Sequence, residues 1–143
     1  MPKPDPALLD PSRYPFSCEI YPRYSDLDQN QHINNAALAG ILQEGRANFQ
    51  RATRFTEALN GSTSMVASFS IEYLGEAHYP DPLEIHVGVM KVGRTSHTLG
   101  HLVTQQGRVV AHAQVVLVCV RDQKPVENSP LFLETAQAGM LRA

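Results

Sequence analysis

Between Ile33 and Phe55 apolar residues recur at helical spacing, and from Ser62 to Asp122 they recur at every second position. A chain patterned this way has one long helix followed only by strands. At 100° steps, Ile33, Ala37, Leu38, Ile41, Leu42, Gly45, Phe49, Ala52 and Phe55 share one half of the helix. The other half carries Gln43, Arg46, Gln50, Thr53 and Arg54, so Arg46 reads as solvated or structural. A helix of about 23 residues runs roughly 35 Å, the width of a domain. After Asn60-Gly61 the segment MVASFSIEYL alternates, GEAHYPDP interrupts it, and LEIHVGVMKV alternates again. A break at Val92-Gly93-Arg94 leads into TSHTLGHLVTQQ, and Gln106-Gly107 turns the chain into RVVAHAQVVLVCV, its most β-branched stretch. Ahead of the helix, FSCEIYPRY alternates at Phe16, Cys18 and Ile20 and supplies a first strand. The order strand, long helix, four strands gives an α+β protein, a five-stranded antiparallel sheet with one helix laid on it. One helix covers only part of such a sheet, and the strands carry apolar residues to spare. Association through a strand edge into a homodimer is therefore expected.

The 143 residues amount to one domain, and a chain of this size buries roughly 68–70 % of its unfolded surface. Pro2, Pro4, Pro6, Pro11 and Pro15 make residues 1–15 an irregular arm, residues 16–123 form the folded domain, and residues 124–143 read as a loosely ordered tail with at most one short helix. The arm has no apolar run, which excludes a signal peptide or membrane helix there and makes the cytoplasm the expected compartment. With 18 % charged residues and a net charge of −2, the chain lacks the basic balance of a nucleic-acid binder. Cys18 and Cys119 lie in apolar stretches and read as two reduced, buried thiols. His97 and His101 share a strand face about 13 Å apart, too far for one ion, so no metal is expected. The chain has no serine-hydrolase elbow, phosphate loop or dinucleotide fingerprint.

Chemistry concentrates in Tyr24-Ser-Asp26-Leu-Asp28-Gln-Asn30-Gln-His32-Ile-Asn34-Asn35, where the first strand feeds the helix. Free backbone N–H groups at a helix N-terminus carry partial positive charge and bind developing anions. A carboxylate beside them can attack a carbonyl or activate a water while the helix end receives the oxyanion. Alternatively, Asn34 or Asn35 caps the helix, and Asp26 and Asp28 shape an Asx-turn. The residue types alone leave both readings open.

The run R-Y-S-D-L-D-Q-N-Q-H-I-N-N, the E-G-R at Glu44 to Arg46, the segment S-I-E-Y-L-G-E-A-H-Y-P-D-P-L-E-I-H-V and the V-G-R-T-S that follows resemble the 4-hydroxybenzoyl-CoA thioesterase-like family of hotdog proteins. The resemblance covers about residues 16 to 123. It implies a hotdog fold, with the five-stranded sheet wrapped around one long helix, and hydrolysis of an acyl-CoA thioester. Asp28 takes the catalytic position, with His32 and Asn30 positioning the carboxylate or the water. Backbone N–H groups near Asn34 and Asn35 receive the oxyanion. Arg94, Thr95 and Ser96 occupy the turn that contacts the pantetheine arm or the coenzyme A phosphates, and Glu44 lines the acyl pocket or forms an ion pair. Coenzyme A enters as part of the substrate and not as a bound cofactor. The strand over residues 64–74 is expected to meet its symmetry mate in a homodimer, or in a homotetramer of two such pairs, with no nucleic acid or membrane as partner. Two positions depart from the family: Gln31 stands where a glycine usually precedes the histidine, and Leu38 where the helix usually carries a tyrosine. The alternatives within the fold are an enoyl-CoA hydratase or dehydratase, for which Asp28, Asn30 and His32 are one residue too tightly spaced, and a non-catalytic acyl-CoA-binding protein.

Overall fold

The structure is a computed structural model that describes residues 4–143; residues 1–3 of the N-terminal arm lie outside the described part. Strands β1 (Phe16–Ile20), β2 (Thr63–Tyr73), β3 (Leu83–Val92), β4 (Ser96–Gln105) and β5 (Arg108–Arg121) pair antiparallel in the order β1-β3-β4-β5-β2. A two-residue β6 (Lys124–Pro125) pairs with the end of β5. Helix α1 (Asn35–Ala52) packs over β1 and β3, and the short α2 (Phe55–Ala58) follows it. This is the expected α+β architecture of one antiparallel sheet against one long helix.

Helix α1 has 18 residues, about 27 Å, and is shorter at both ends than the apolar period suggests. Its start is fixed because Ile33 is engaged elsewhere, bridging to Leu27 and donating its N–H to the Ala77 carbonyl at 3.0 Å. Asn34 then caps the helix by accepting from the Ala36 N–H at 2.7 Å. At the other end Thr53 turns extended while its hydroxyl binds the Phe49 carbonyl at 2.7 Å. Phe55 continues the apolar stripe from α2. Leu42 and Phe49 have no solvent exposure, and neither do Leu83, Ile85, Val87 and Val89 on the inner face of β3. A Cβ at Gly45 would lie 2.6 Å from Ile85 Cγ2, so a side chain there would lift the helix off β3.

The N-terminal arm and Leu141 cover part of the outer face of the sheet, while α3 packs on the inner side beside α2. Tyr14 is buried, donates its hydroxyl to the Leu8 carbonyl at 2.7 Å and faces Gly100. The segment read from sequence as a loose tail carries β6 and helix α3 (Pro130–Ala138), which Ser129 caps through the Phe132 N–H at 3.0 Å. Phe132 is buried edge-on against Phe55 and His97, with ring centroids 5.1 and 4.8 Å away. Beyond α3, the Gly139 carbonyl and the Leu141 N–H bond to Val89 at 2.8 and 3.0 Å, tying the C-terminus to β3. Cys18 and Cys119 are free thiols, and Cys119 is buried 3.0 Å from the Ser62 hydroxyl. Among the described residues no helix is long and apolar enough to cross a membrane.

His97 and His101 point inward from β4 and are buried. Burial lowers His97 to about 4, and burial with the nearby Arg46 charge lowers His101 to about 3. The unfolded chain, with imidazoles near 6.5, therefore takes up protons first. Stability is full above about pH 6.5 and falls as pH drops towards 4, by about 1.4 kcal/mol per pH unit for each histidine. Urea unfolding midpoints between pH 7 and 4.5 will show this decline, and His101→Gln will make it shallower. A flat profile would mean that the imidazoles reach water in the folded protein.

Candidate active site

The path from β1 to α1 is built in two steps, each organised by one aspartate. In the first, Tyr24–Asp26 makes a 3-10 turn. Asp26 is buried at 5 % exposure, and its carboxylate accepts from the Arg23 backbone N–H at 2.8 Å and the Arg23 guanidinium at 3.1 Å. Burial opposes ionisation, but the two donations from Arg23 outweigh it and hold the carboxyl below its usual range. The Asp26 carbonyl also accepts from the Asn34 N–H at 2.7 Å. Both carboxylate oxygens are thus committed to shaping the loop.

The second step is a hairpin closed by the Leu27–Ile33 bridge and by the Asp28 N–H donating to the His32 carbonyl at 2.9 Å. Asp28 is half-buried, and its Oδ1 accepts from the backbone N–H groups of Asn30 at 2.8 Å and His32 at 3.1 Å. Its Oδ2 has no hydrogen-bond donor among the described residues. Asp28 therefore makes the Asx-turn with one oxygen and keeps the other free of donors among the described residues. Gln31, at φ +66, adopts the left-handed conformation that a glycine takes without strain. That requirement explains the family's glycine at this position.

Asn30 and His32 reach Asp28 through main-chain N–H groups and not through their side chains. The His32 ring points to Glu76, Nε2 to Oε2 3.2 Å, and packs edge-on against His78 at 5.4 Å. The segment bearing Glu76 and His78 is fastened by Gln105, which is buried at the end of β4. Gln105 accepts from the His78 N–H at 2.8 Å and donates to the His78 and Asp81 carbonyls at 2.7 and 3.0 Å. Sequence reasoning missed Glu76 and Gln105. A carboxamide in the otherwise buried run of β4 was the available signal for Gln105, whereas Glu76 lies in a break with no periodicity.

At the start of α1, Asn34 does not offer a free N–H as expected, because that group is bound to the Asp26 carbonyl. Asn35 and Ala37 do: their N–H groups have no acceptor among the described residues. The Tyr73 hydroxyl donates to the Asn35 carbonyl at 3.2 Å and ties the end of β2 to this helix terminus. One further expectation on α1 is corrected, that for Arg46. Glu44 is exposed, forms no ion pair among the described residues, and lines a pocket on the flank of α1 nearest Arg23 and Asp26. Arg46, expected on the solvated half, is only 8 % exposed and lies on the other flank.

Arg94, Thr95 and Ser96 are not brought to Asp28 within one chain. Register pairs Ile20 with Leu83, so the Asp28 loop sits where β3 begins. The Arg94 turn sits where β3 ends, ten residues on, about 30 Å away. There Arg94 pairs with Glu127 at 3.2 Å, the Thr95 carbonyl accepts from Cys119 and the Ser96 carbonyl from Gly93. Among the described residues no three His, Cys, Asp or Glu side chains converge as a metal site.

Residues 22–136 match the family model of the thioesterase-like superfamily. No curated protein sequence matches the chain. Among solved structures, a thioesterase from Thermus thermophilus in complex with coenzyme A and zinc is 26 % identical, with a TM-score of 0.79 over 88 % of this chain and 95 % of that one. YbaW from Escherichia coli, a probable thioesterase, is 25 % identical, with a TM-score of 0.77 over 87 % and 98 %. A DHNA-CoA thioesterase from Staphylococcus aureus shares the fold at 19 % identity, with a TM-score of 0.72 over 85 % and 86 %.

The strain at Gln31 can be measured. A left-handed conformation costs a residue with a Cβ about 1–2 kcal/mol, and glycine's extra freedom in the unfolded chain offsets roughly half of that. Gln31→Gly should raise stability by about 0.5–1 kcal/mol in urea unfolding, and a loss of stability would contradict the conformation described.

Proposed function

This chain belongs to the thioesterase-like superfamily, and we propose that it hydrolyses an acyl-CoA thioester to a free acid and coenzyme A, with Asp28 as its catalytic carboxylate. The observation that carries this reading is the division of labour within Asp28. Oδ1 is held by two main-chain N–H groups, while Oδ2 is open next to a helix terminus with free donors at Asn35 and Ala37. As nucleophile, Oδ2 adds to the thioester carbonyl carbon, the C–S bond breaks and the thiolate leaves with a proton from water. A second water then cleaves the mixed anhydride. As general base, Asp28 takes a proton from water whose oxygen adds to the same carbon; the C–S bond then breaks and the proton passes to the leaving thiolate. In both routes the carbonyl oxygen becomes an oxyanion, and in this reading the Asn35 N–H at the positive end of α1 receives it. Coenzyme A takes part only as the substrate's thiol half. The Thermus thermophilus relative in complex with coenzyme A supports the substrate class.

Assembly belongs to the same reading. β2 ends the strand order, so its outer edge is unpaired in a single chain, and it exposes Met65, Val66, Phe69 and Tyr73. Antiparallel pairing of two copies of β2 closes both edges into one sheet. It also sets the start of one β2 against the end of the other. The partner's Arg94, Thr95 and Ser96, which lie at the start of β2, then approach the Asp28 loop at its end. The coenzyme A contacts missing from one chain are supplied by its mate.

Asn keeps an acceptor for the turn at position 28 but cannot serve as base or nucleophile. Asp28→Asn should fold with near-native stability and lose thioester cleavage by a factor on the order of 10³ or more. Asp26→Asn should do the reverse, costing about 1–3 kcal/mol of stability while cleavage by the folded fraction persists. Melting temperature and thiol release on the same preparations distinguish the two, and full activity in Asp28→Asn would sink the mechanism. Light scattering should give a dimer or a multiple of one at micromolar concentration, and a stable monomer would refute the shared site.

A further inference from the structure

A cavity of about 480 Å³ lies between the second half of α1, the α2–α3 pair and the start of β2. Arg46 lines it, 8 % exposed, and its Nη1 has no hydrogen-bond partner among the described residues. Ser64 Oγ and both ring nitrogens of His97 line the same cavity and are likewise buried and unpartnered. Among the described residues no Asp or Glu lines it, so the guanidinium charge faces the cavity uncompensated. A buried guanidinium without a partner is costly, and three unpartnered polar groups on one wall offer donors that suit an anion. Burial keeps His97 neutral at ordinary pH, with one N–H to donate. Phe55, Leu59, Leu117 and Phe132 give the wall an apolar part, beside the polar side chains of Gln43, Gln50 and Thr56. An anion at the end of a short hydrocarbon chain matches both halves.

The position of the cavity says which chain that is. It opens beside Ser64 and Val66 at the start of β2, and antiparallel pairing sets that end against the partner's Tyr73, the residue tied to the helix terminus carrying the free N–H donors. We propose that this cavity is the acyl pocket of the site completed across the dimer, and that Arg46, with Ser64 and His97, selects acyl groups ending in a carboxylate, the dicarboxylic acyl-CoA class. The inference rests on the thioesterase reading above. Arg46 presents a planar fork that matches a carboxylate, which a methyl-ended chain cannot use.

The test compares adipoyl-CoA with hexanoyl-CoA, which have the same chain length and differ in the terminal carboxylate. The wild-type protein should favour adipoyl-CoA in kcat/KM by roughly 10- to 100-fold, and in R46M that ratio should collapse towards unity. Free adipate should raise the melting temperature of the wild type and not of R46M. Equal rates on the two thioesters, or a preference for hexanoyl-CoA, would overturn the proposal. So would an R46M protein that loses both activities in proportion and keeps the ratio. If neither thioester is cleaved, the hydrolase reading fails, and the adipate shift alone decides the carboxylate site. Should R46M not fold, Ser64→Ala takes its place, with a reduced ratio expected and an unchanged ratio counting against the site.

Discussion

Much of this molecule follows from where α1 meets the sheet. Gly45 lets the helix descend onto Ile85, so α1 lies over β1 and β3 and not over the middle of the strand order. Leu42 and Phe49 are sealed by this approach. The same offset leaves the inner faces of β5 and β2 without a helix above them. Phe55, His97 and Phe132 fill part of that space, and the rest is the Arg46 cavity. Further along β2, Val66, Phe69 and Tyr73 point inward yet stay 38–50 % exposed. One close contact at a glycine thus determines which half of the sheet is sealed within the chain and which half keeps apolar side chains exposed.

The two aspartates before the helix show how backbone geometry separates identical side chains. Asp26 is closed in by Arg23 and spends both oxygens on the loop, which stabilises the path into α1. Asp28, two residues on, is held by donors that all approach one oxygen. A side chain fixed at one oxygen keeps its direction and retains a lone-pair face for a reactant, so positioning and availability do not compete. The loop is held from behind by Gln105, whose amide ties down the segment paired with His32. None of these supporting groups hydrogen-bonds to Oδ2, which has no donor among the described residues.

The sequence made the fold legible where one physical requirement dominates. Alternation in β3 and β5 reports burial on one side, and the inward residues of β3 are all sealed. Asp28 and the helix terminus were singled out through the motif they resemble, and the Asn35 N–H there has no acceptor among the described residues. What was not legible depends on partners distant in sequence. Asn34 loses its N–H to Asp26, the His32 ring goes to Glu76, and Arg94 lies at the far end of a strand. Apolar period could not foresee that α3 would bury Phe132 or that residues 139–141 would bond to β3, because both depend on which strand is left uncovered.

Arg46 was misread as solvated, for a reason that the contrast with Glu44 makes plain. A helical wheel ranks positions by angle from the apolar centre, and both residues sit on flanks of that stripe. Burial on a flank is decided by the neighbour it meets. On one side lie β1 and its loop, which leave Glu44 in solvent. On the other lies the gap towards β2, where Arg46 is enclosed without a counter-charge. A methionine or leucine would fill that flank at less cost, since an unpaired buried charge is worse for stability than an apolar side chain of similar volume. Packing therefore does not account for arginine at this position. The proposed recognition of an anion would, because Ser64 Oγ and the His97 ring nitrogens in the same cavity are also unpartnered, and it uses the polarity of α1, acid towards β1 and base towards β2.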